Sequence, residues 1–331
     1  MKKLHAKSPC CRAKIIRFGE RRKQCIVCKK TWRARKKKRG PKRSRISSSI
    51  VTDYFSHILP SFYGYAKKHK CSPDIFEYRL QKSRDLFIKT TTWPSLPQRG
   101  NLILIADVKK KKLCGKLIAV YIILVRAVDE TIAYAHKPHI EEGDESVEGW
   151  DRAFDTLPEN VKDRVSGLVC DGHRGLILSA KWRGWKLQRC HFHLLKSFIV
   201  RRSTKSTRGN AEIGKQIIEL AKTILSTTDK NIFYRSVSEL EAIGWEVKRG
   251  SLGAVISGFL NHIEEYRTYL LFPELRLPRT SNSAESFIGG FQSLLSQAHG
   301  FRTKKSFVLW VEAYVKWRKN ISCKPSNYQP N

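Results

Sequence analysis

The stretch Asn101-Leu-Ile-Leu-Ile-Ala-Asp107 is a short apolar run that ends in an aspartate. A second stretch, Val165-Ser-Gly-Leu-Val-Cys-Asp171, has the same form. Apolar runs of this length are typical of buried strands, and the carboxyl ends of strands in open α/β sheets face the crevice where ligands bind. We therefore expect an α/β fold in which two strand ends bring Asp107 and Asp171 to one site.

The sequence on either side of these stretches predicts the remaining elements. Strands are expected at 117–125, 130–135 and 186–190, and helices at 146–156, 174–182, 282–297 and 303–319. Helical spacing dominates 211–272, and it also runs from 47 to about 91 with a break at Pro60. The short helices of this first region fit a helix-turn-helix reader of the major groove, a pattern that small helical linkers share.

The charge of the chain points to a polyanionic partner. Lys and Arg number 64 against 29 Asp and Glu, a net charge of +35 in 331 residues, and 41% hydrophobic residues still allow a sizeable core. Of the basic residues, 20 lie in residues 1–50, where Glu20 is the only acid. Nucleic acid is the common neutralising partner. The longest strongly apolar run, 117–125, has nine residues, far below the roughly 20 of a membrane span, so we favour double-stranded DNA over a membrane.

The cysteine pattern near the amino terminus indicates a metal site. Nine cysteines occur, and no apolar segment follows Met1-Lys2-Lys3 as a secretory signal would require, so we expect a reducing, cytoplasmic setting. Cys25 and Cys28 form a C-x2-C pair, and predicted strands at 13–18 and 21–24 with a turn at Gly19 give a zinc-ribbon-like hairpin.

The second half of this zinc site is irregular. A regular C-x2-C pair would begin at Ser8 and end at Cys11, and the adjacent Cys10 and Cys11 are difficult to place on one ion. His5 is therefore an alternative fourth ligand, and a metal-free basic hairpin is the competing interpretation. The candidate zinc ligands are Cys11, Cys25, Cys28, Cys10 and His5.

A basic run at 33–45, broken by Gly40-Pro41, follows the cysteine-rich segment. Such a run does not fold alone, and it is either a solvated tail or an arm that lies along phosphates. Next to a zinc-ribbon-like segment the second interpretation is preferred. The candidate DNA-binding residues are Arg33, Arg35, Lys36, Lys37, Lys38, Arg39, Lys42 and Arg43.

Two carboxylates at neighbouring strand ends repel each other unless a cation lies between them. Singly, Asp107 and Asp171 each also fit a turn residue that ends a strand. Glu285 is the candidate third carboxylate, although Asn282 and Glu285 together also fit a helix capping box. Cys190-His-Phe-His193, directly after a predicted strand, contains a C-x2-H pair that is half of a zinc site.

This ordered set of motifs resembles the mutator-type insertion-sequence transposases. The matching pieces are Leu-Ile-Ala-Asp107, Val-Cys-Asp171-Gly-His, Cys190-His-Phe-His193 and Thr280-Ser-Asn-Ser-Ala-Glu285, with 64 residues between the aspartates and 114 from Asp171 to Glu285. The resemblance covers roughly 100–319. Two departures are that Ser8 replaces the expected ribbon cysteine and that the chain is compact for the family.

The resemblance implies a ribonuclease-H-like catalytic core at 100–320 with a helical insertion at about 205–278, after a zinc-ribbon-like segment at 1–45 and a helical DNA-binding region at 46–95. It implies Asp107, Asp171 and Glu285 as catalytic ligands of two Mg²⁺ or Mn²⁺ ions, with Cys190 and His193 as accessory residues and one Zn²⁺ in the amino-terminal segment. It further implies a prokaryotic, nucleoid-associated enzyme that acts as a homo-oligomer on transposon ends and target DNA.

Three alternatives compete with the transposase interpretation. One is a catalytically inactive remnant that regulates by binding DNA. Another is a different ribonuclease-H-like nuclease, such as a junction resolvase, that cuts branched DNA without preferring one element's ends. The third is a zinc-dependent hydrolase that uses Cys190, His191 and His193, for which no downstream ligand with fitting spacing is present.

Overall fold

The protein is described from a computed structural model. The structure describes residues 7–18, 22–33, 47–56, 62–201, 211–247, 251–297 and 303–325. The chain divides into two compact units, Met1–Ile46 and Ser47–Asn331.

The smaller unit contains an antiparallel sheet in the order β1-β2-β3. Its strands are β1 (Ile15–Phe18), β2 (Arg22–Cys25) and β3 (Thr31–Arg33). The two predicted strands are confirmed to within two residues, and β3 was not predicted. The expected turn at Gly19 lies outside the described residues.

The larger unit begins with three helices that pack on its sheet. They are α1 (Ser49–Phe55), α2 (Phe62–Lys68) and α3 (Pro73–Thr90). Ser72 caps α3 by accepting a hydrogen bond from the Ile75 amide at 3.4 Å, and Pro73 supplies a first-turn residue that needs no amide partner. The helix-turn-helix interpretation of this region stays a prediction.

A mixed seven-stranded sheet forms the centre of the larger unit, so the α/β fold class is confirmed. Its strands are β4 (Leu102–Leu113), β5 (Lys116–Ala127), β6 (Ile132–Ala135), β7 (His139–Glu142), β8 (Val165–Cys170), β9 (Lys186–Arg189) and β10 (Asn320–Ser322). The order is β10-β6-β5-β4-β8-β9, and β7 pairs with β5. Strand β5 runs antiparallel to both β4 and β6, while β8 runs parallel to β4 and β9.

Helices cover the sheet and continue beyond it. They are α4 (Val147–Asp155), α5 (Glu159–Lys162), α6 (Arg174–Trp182), α7 (His191–Arg201), α8 (Ala211–Ser226), α9 (Lys230–Glu246), α10 (Ser251–Leu260), α11 (Ile263–Leu271), α12 (Asn282–Gln297) and α13 (Lys304–Arg318). A short 3₁₀ turn, Pro273–Leu275, follows α11. None of the helices that the structure describes is both long enough and apolar enough to cross a membrane.

Alternating side chains of β4 separate two cores on the two faces of the sheet. Ile103 and Ile105 belong to the first core, which α1–α3, α12 and α13 complete. Leu102 and Leu104 belong to the second core, which contains α4 and α6. Because strand side chains alternate with a period of two, Asp107 points to the same side as Ile103 and Ile105, which is the side covered by α12. A third core lies among the five helices from α7 to α11, and none of its residues belongs to the sheet.

Candidate functional site

Asp107 lies in the middle of β4, so the prediction that it ends a strand is wrong. Pairing with β5 carries β4 on to Leu113 through four consecutive lysines, and Asp107 itself pairs with Ile122. The neighbouring strand β8 accompanies β4 only as far as Ile105. Asp107 therefore lies where the parallel neighbour stops, which opens the same kind of crevice that a strand end would provide.

Asp171 follows β8 directly, as predicted. The next residue, Gly172, has φ +96°, a conformation that residues with a side chain rarely adopt, and a Cβ there would lie 3.3 Å from Cδ of Arg189. This turn lets the His173 amide donate to Asp171 Oδ1 at 2.9 Å. In the same way the Val108 amide donates to Asp107 Oδ1 at 2.8 Å. One oxygen of each aspartate is thus held by the backbone.

Glu285 lies in the first turn of α12, but the predicted capping box does not form. Asn282 is already the first residue of the helix and is exposed, and the buried Ser281 precedes it. The Ser281 carbonyl accepts from the Glu285 amide at 3.1 Å. Its hydroxyl lies 3.3 Å from Glu285 Oε1. The Glu285 carboxylate therefore contacts the hydroxyl of the residue before its helix and also lies beside His193.

The three carboxylates belong to one electrostatic site. Burial raises the pKa of Asp107 from 3.8 to about 7, and the charges of Asp171 and Glu285 raise it further, while the Val108 amide and His193 oppose the shift. The negative charges of Asp171 and Glu285 thus repel an ionised Asp107. A divalent cation relieves this repulsion, so the chemistry of the donor set fits Mg²⁺ or Mn²⁺.

Cys190 and His193 lie beside Glu285. The Cys190 amide donates to the Cys170 carbonyl at 2.7 Å, which extends the β8–β9 pairing by one residue and fixes the buried thiol. His193 Nδ1 lies 3.5 Å from Glu285 Oε1. The Cys190 sulfur, one His193 ring nitrogen and one Glu285 oxygen all lie within 4.8 Å of one another.

The contacts within this cluster lower the pKa of the thiol and raise the pKa of the imidazole. The neighbouring Cys190 sulfur raises the pKa of His193 to about 9, with further contributions from Glu285 and Asp171. Burial opposes ionisation of Cys190, but hydrogen bonds from His193 and Ser281 outweigh it and lower the pKa of the thiol.

His191 is not part of this cluster. Its Nε2 lies 2.7 Å from the Tyr266 carbonyl oxygen, and burial lowers the pKa of the ring to about 4. Its amide donates to the Arg279 carbonyl at 3.0 Å, which ties the start of α7 to the segment before α12. The zinc hydrolase alternative therefore loses one of its three ligands, because His191 serves the packing.

Two residues near the site were not singled out from the sequence. The Ser281 amide donates to the Cys190 sulfur at 3.3 Å, so this serine contacts both Cys190 and Glu285. Glu145, with a side chain only 6% exposed, accepts from Trp150 Nε1 at 2.8 Å and lies 3.3 Å from His173 Nδ1. Ser281 stood within the quoted motif, whereas no sequence signal marked Glu145.

The amino-terminal unit gathers a four-cysteine cluster. The sulfurs of Cys10, Cys11, Cys25 and Cys28 all lie within 4.8 Å of one another, and those of Cys10 and Cys28 are 3.3 Å apart. Four sulfurs at Zn–S distances of about 2.3 Å in a tetrahedron lie roughly 3.8 Å apart. The cluster could therefore hold a metal such as zinc.

The expected difficulty of placing the adjacent Cys10 and Cys11 on one ion is overcome by the local chain conformation. The Arg12 amide donates to the Ser8 carbonyl at 3.0 Å, and Arg12 has a φ of +55°, so the chain turns tightly and brings both sulfurs to one side. Ser8 is buried and contacts Cys25, and this contact lowers the pKa of Cys25 to about 6. Serine at position 8 thus supports the cluster in place of the cysteine that a regular ribbon has there.

Several predicted residues lie outside the described part of the chain. They are His5 and the basic-arm residues Arg35, Lys36, Lys37, Lys38, Arg39, Lys42 and Arg43. Arg33 ends β3. DNA contacts by this run stay a prediction.

Comparison of the sequence with models of protein families finds no match, and no curated protein matches it either.

Proposed function

We propose that the chain is a DNA transposase of the mutator type, with a ribonuclease-H-like catalytic core and the carboxylate triad Asp107, Asp171 and Glu285. It would cleave DNA at transposon ends and join those ends to target DNA. The observation that carries the proposal is that Asp107 of β4 lies near enough to Asp171, after β8, and to Glu285, in α12, for their charges to raise its pKa.

The sheet topology supports the ribonuclease-H-like part of the proposal. The first three strands along the chain, β4, β5 and β6, pair in the order β6-β5-β4, with each neighbouring pair antiparallel. Strand β8 then pairs with the other edge of β4, and β9 pairs with β8, and both of these pairings are parallel. Helices α8 to α11 lie between the second aspartate and Glu285, where the family resemblance places a helical insertion. This insertion has a core of its own, so it extends the unit without disturbing the sheet.

Asp107, Asp171 and Glu285 would hold two Mg²⁺ or Mn²⁺ ions, which when bound lower the pKa of an attacking water or 3′-hydroxyl and stabilise the leaving oxygen. The chain itself supplies the orientation of the ligands. Backbone amides of Val108 and His173 hold one oxygen of each aspartate. The Ser281 hydroxyl donates to the carboxylate of Glu285. Ligands fixed in this way need no reorganisation during the reaction.

The charge of the chain supports DNA as the partner. A net charge of +35 favours phosphate backbone, and 20 of the basic residues precede residue 51. We propose that residues 5–90 recognise the transposon ends and that the run 33–45 contacts phosphates. Because two ends must be joined to one target, we propose a homo-oligomer on DNA.

The experiment is Mg²⁺- or Mn²⁺-dependent strand transfer of DNA carrying the inverted repeats that flank the gene into a plasmid. Wild type is compared with Asp171→Asn, which keeps the size of the side chain, and with Asp163→Asn, a control at an exposed aspartate after α5. Wild type and Asp163→Asn should transfer strands, and Asp171→Asn should lose on the order of 10³-fold in rate, or about 4 kcal/mol.

Two outcomes would overturn the proposal. DNA binding without cleavage in either metal would favour the regulator, and cleavage of branched DNA without preference for the ends would favour the junction resolvase.

A further inference from the structure

A donor set of a different chemical kind adjoins the carboxylate triad. Cys190 follows β9, His193 lies in the first turn of α7, and Glu285 lies in the first turn of α12. One thiol, one imidazole and one carboxylate are thus brought together from three elements. Among the described residues, this group and the four cysteines of the amino-terminal unit are the sets whose ligand atoms all lie within 4.8 Å of one another.

The spacing of these ligand atoms suits a tetrahedral ion. Zn²⁺ bonds of about 2.3 Å to sulfur and about 2.0–2.2 Å to nitrogen and oxygen place neighbouring ligand atoms roughly 3.3–3.6 Å apart. His193 Nδ1 and Glu285 Oε1 are 3.5 Å apart. The sulfur of Cys190 lies within 4.8 Å of one ring nitrogen of His193 and of one carboxylate oxygen of Glu285. Only a small movement of side chains would close the site around an ion.

The surroundings of the donors also point to a ligand. His193 Nδ1 is buried and has no hydrogen bond of good geometry within the described residues. The Cys190 sulfur accepts a hydrogen bond from the Ser281 amide, and such a contact orients a metal-bound thiolate. Thiolate and imidazole are ligands that Zn²⁺ prefers and Mg²⁺ does not.

We propose that Cys190, His193 and Glu285 form a binding site for a thiolate-preferring divalent cation of the Zn²⁺ class. Three protein ligands leave the fourth position of a tetrahedral ion open to water.

A consequence concerns Glu285, which belongs to both sets, and it rests on the proposed function. An ion held by Cys190 and His193 binds the carboxylate that the Mg²⁺ or Mn²⁺ pair requires. Zn²⁺ therefore inhibits Mg²⁺-dependent strand transfer, and excess Mg²⁺ reverses the inhibition only partly because it competes for Glu285 alone.

The test measures Zn²⁺ and Co²⁺ binding by the full chain with equilibrium dialysis and absorption spectroscopy. The double variant Cys25→Ser/Cys28→Ser removes two sulfurs of the amino-terminal cluster, which isolates the proposed site. We expect two Zn²⁺ per chain for wild type and one for this variant. Its Co²⁺ form should show thiolate-to-cobalt charge-transfer absorption.

Adding Cys190→Ser to the double variant should weaken the remaining Zn²⁺ binding by at least about 100-fold and remove the charge-transfer band. Adding Cys114→Ser, at an exposed cysteine of the β4–β5 turn, should change neither. Near-ultraviolet circular dichroism confirms that each variant keeps the fold of the larger unit. Absence of Zn²⁺ binding by the folded double variant, or a charge-transfer band that survives Cys190→Ser, would overturn the site.

This binding result does not depend on catalysis. If wild type transfers no strands but the Cys190-dependent Zn²⁺ is bound, the proposed function fails and the site stands. If strand transfer occurs and Zn²⁺ bound at the Cys190 site does not slow it, the proposed competition for Glu285 is wrong.

Discussion

The two clusters of metal-type ligands share similar donor atoms and differ in what surrounds them. In the amino-terminal unit, Cys25 and Ser8 are the buried residues of the described part, while apolar side chains such as Phe18 and Val27 are exposed by 48% and 65%. The cluster at Cys190 lies in a unit with three apolar cores. A unit without an apolar core needs another source of stability, whereas a unit with three cores can hold its ligands in place before any ion binds.

The comparison therefore separates a structural metal from a functional one. Where the cluster takes the place of a core, binding free energy is folding free energy. Where the cluster is fixed by the surrounding fold, a bound ion changes chemistry and electrostatics but not the overall structure. Each prediction below tests one side of this division.

The largest effect is expected from removing the amino-terminal metal. A chelator, or the Cys25→Ser/Cys28→Ser variant, should unfold the sheet of β1, β2 and β3, because structural zinc sites contribute on the order of 10 kcal/mol to folding. Limited proteolysis should then cut within residues 1–46 and leave the larger unit intact. Protection of the amino-terminal unit in metal-free protein would show that its stability has another source.

A smaller effect, of opposite sign, is expected at the carboxylates. Asp107 has a pKa raised from 3.8 to about 7, so the folded state holds its proton more tightly than the unfolded state between about pH 4 and 7. The free energy of unfolding therefore falls as pH rises through this window, and the penalty is complete above it. Asp107→Asn should stabilise metal-free protein at pH 8 by on the order of 2 kcal/mol.

Urea denaturation of metal-free protein at pH 5 and pH 8 measures this effect. The gain from Asp107→Asn should be larger at pH 8, and saturating Mg²⁺ should reduce or reverse it because wild type alone keeps all three carboxylates. Asp163→Asn, at an exposed aspartate, serves as the control. Equal gains in the free energy of unfolding at both pH values would mean that the pKa of Asp107 is not raised in the folded state.

The smallest effect is expected at His5. Since the four cysteine sulfurs complete a tetrahedral set, His5→Ala should leave one structural Zn²⁺ per amino-terminal unit and its affinity unchanged. Cys10→Ser and Cys11→Ser should each lower the affinity of the amino-terminal unit for Zn²⁺. Zinc analysis and competition with a chromophoric chelator measure both. Loss of zinc in His5→Ala with retention in Cys10→Ser would restore histidine as the fourth ligand.

Much of the secondary structure was readable from local patterns. The apolar runs around Ile105 and Val169 predicted β4 and β8, and the predicted helices at 282–297 and 303–319 agree with α12 and α13 within one residue. The length of β4 was not predicted, because its lysine-rich half is polar and is held in the strand by pairing with β5. Pairing of this kind depends on the partner strand and leaves no pattern in the strand itself.

The candidate site was predicted in its residues but not in its geometry. Asp107, Asp171 and Glu285 were chosen as a catalytic set, whereas the contact of Glu285 with His193 and Ser281 was not foreseen. The competing capping-box interpretation of Glu285 was decided by where α12 begins. His193 lies far from Glu285 in sequence and Ser281 lies just before it, so local spacing did not select these contacts.

By itself, the sequence determined the class of the fold, most of the strands and helices, the basic amino-terminal region and the residue types available for metal binding. The reason is that charge, hydrophobic pattern and turn residues act over a few neighbouring positions. Only the tertiary structure decided which ligands meet. Strand order, the sharing of one sheet face by Asp107 and α12, and the tight turn that brings Cys10 and Cys11 together all depend on packing between distant segments. A local pattern therefore selects the donors, and packing determines their distances.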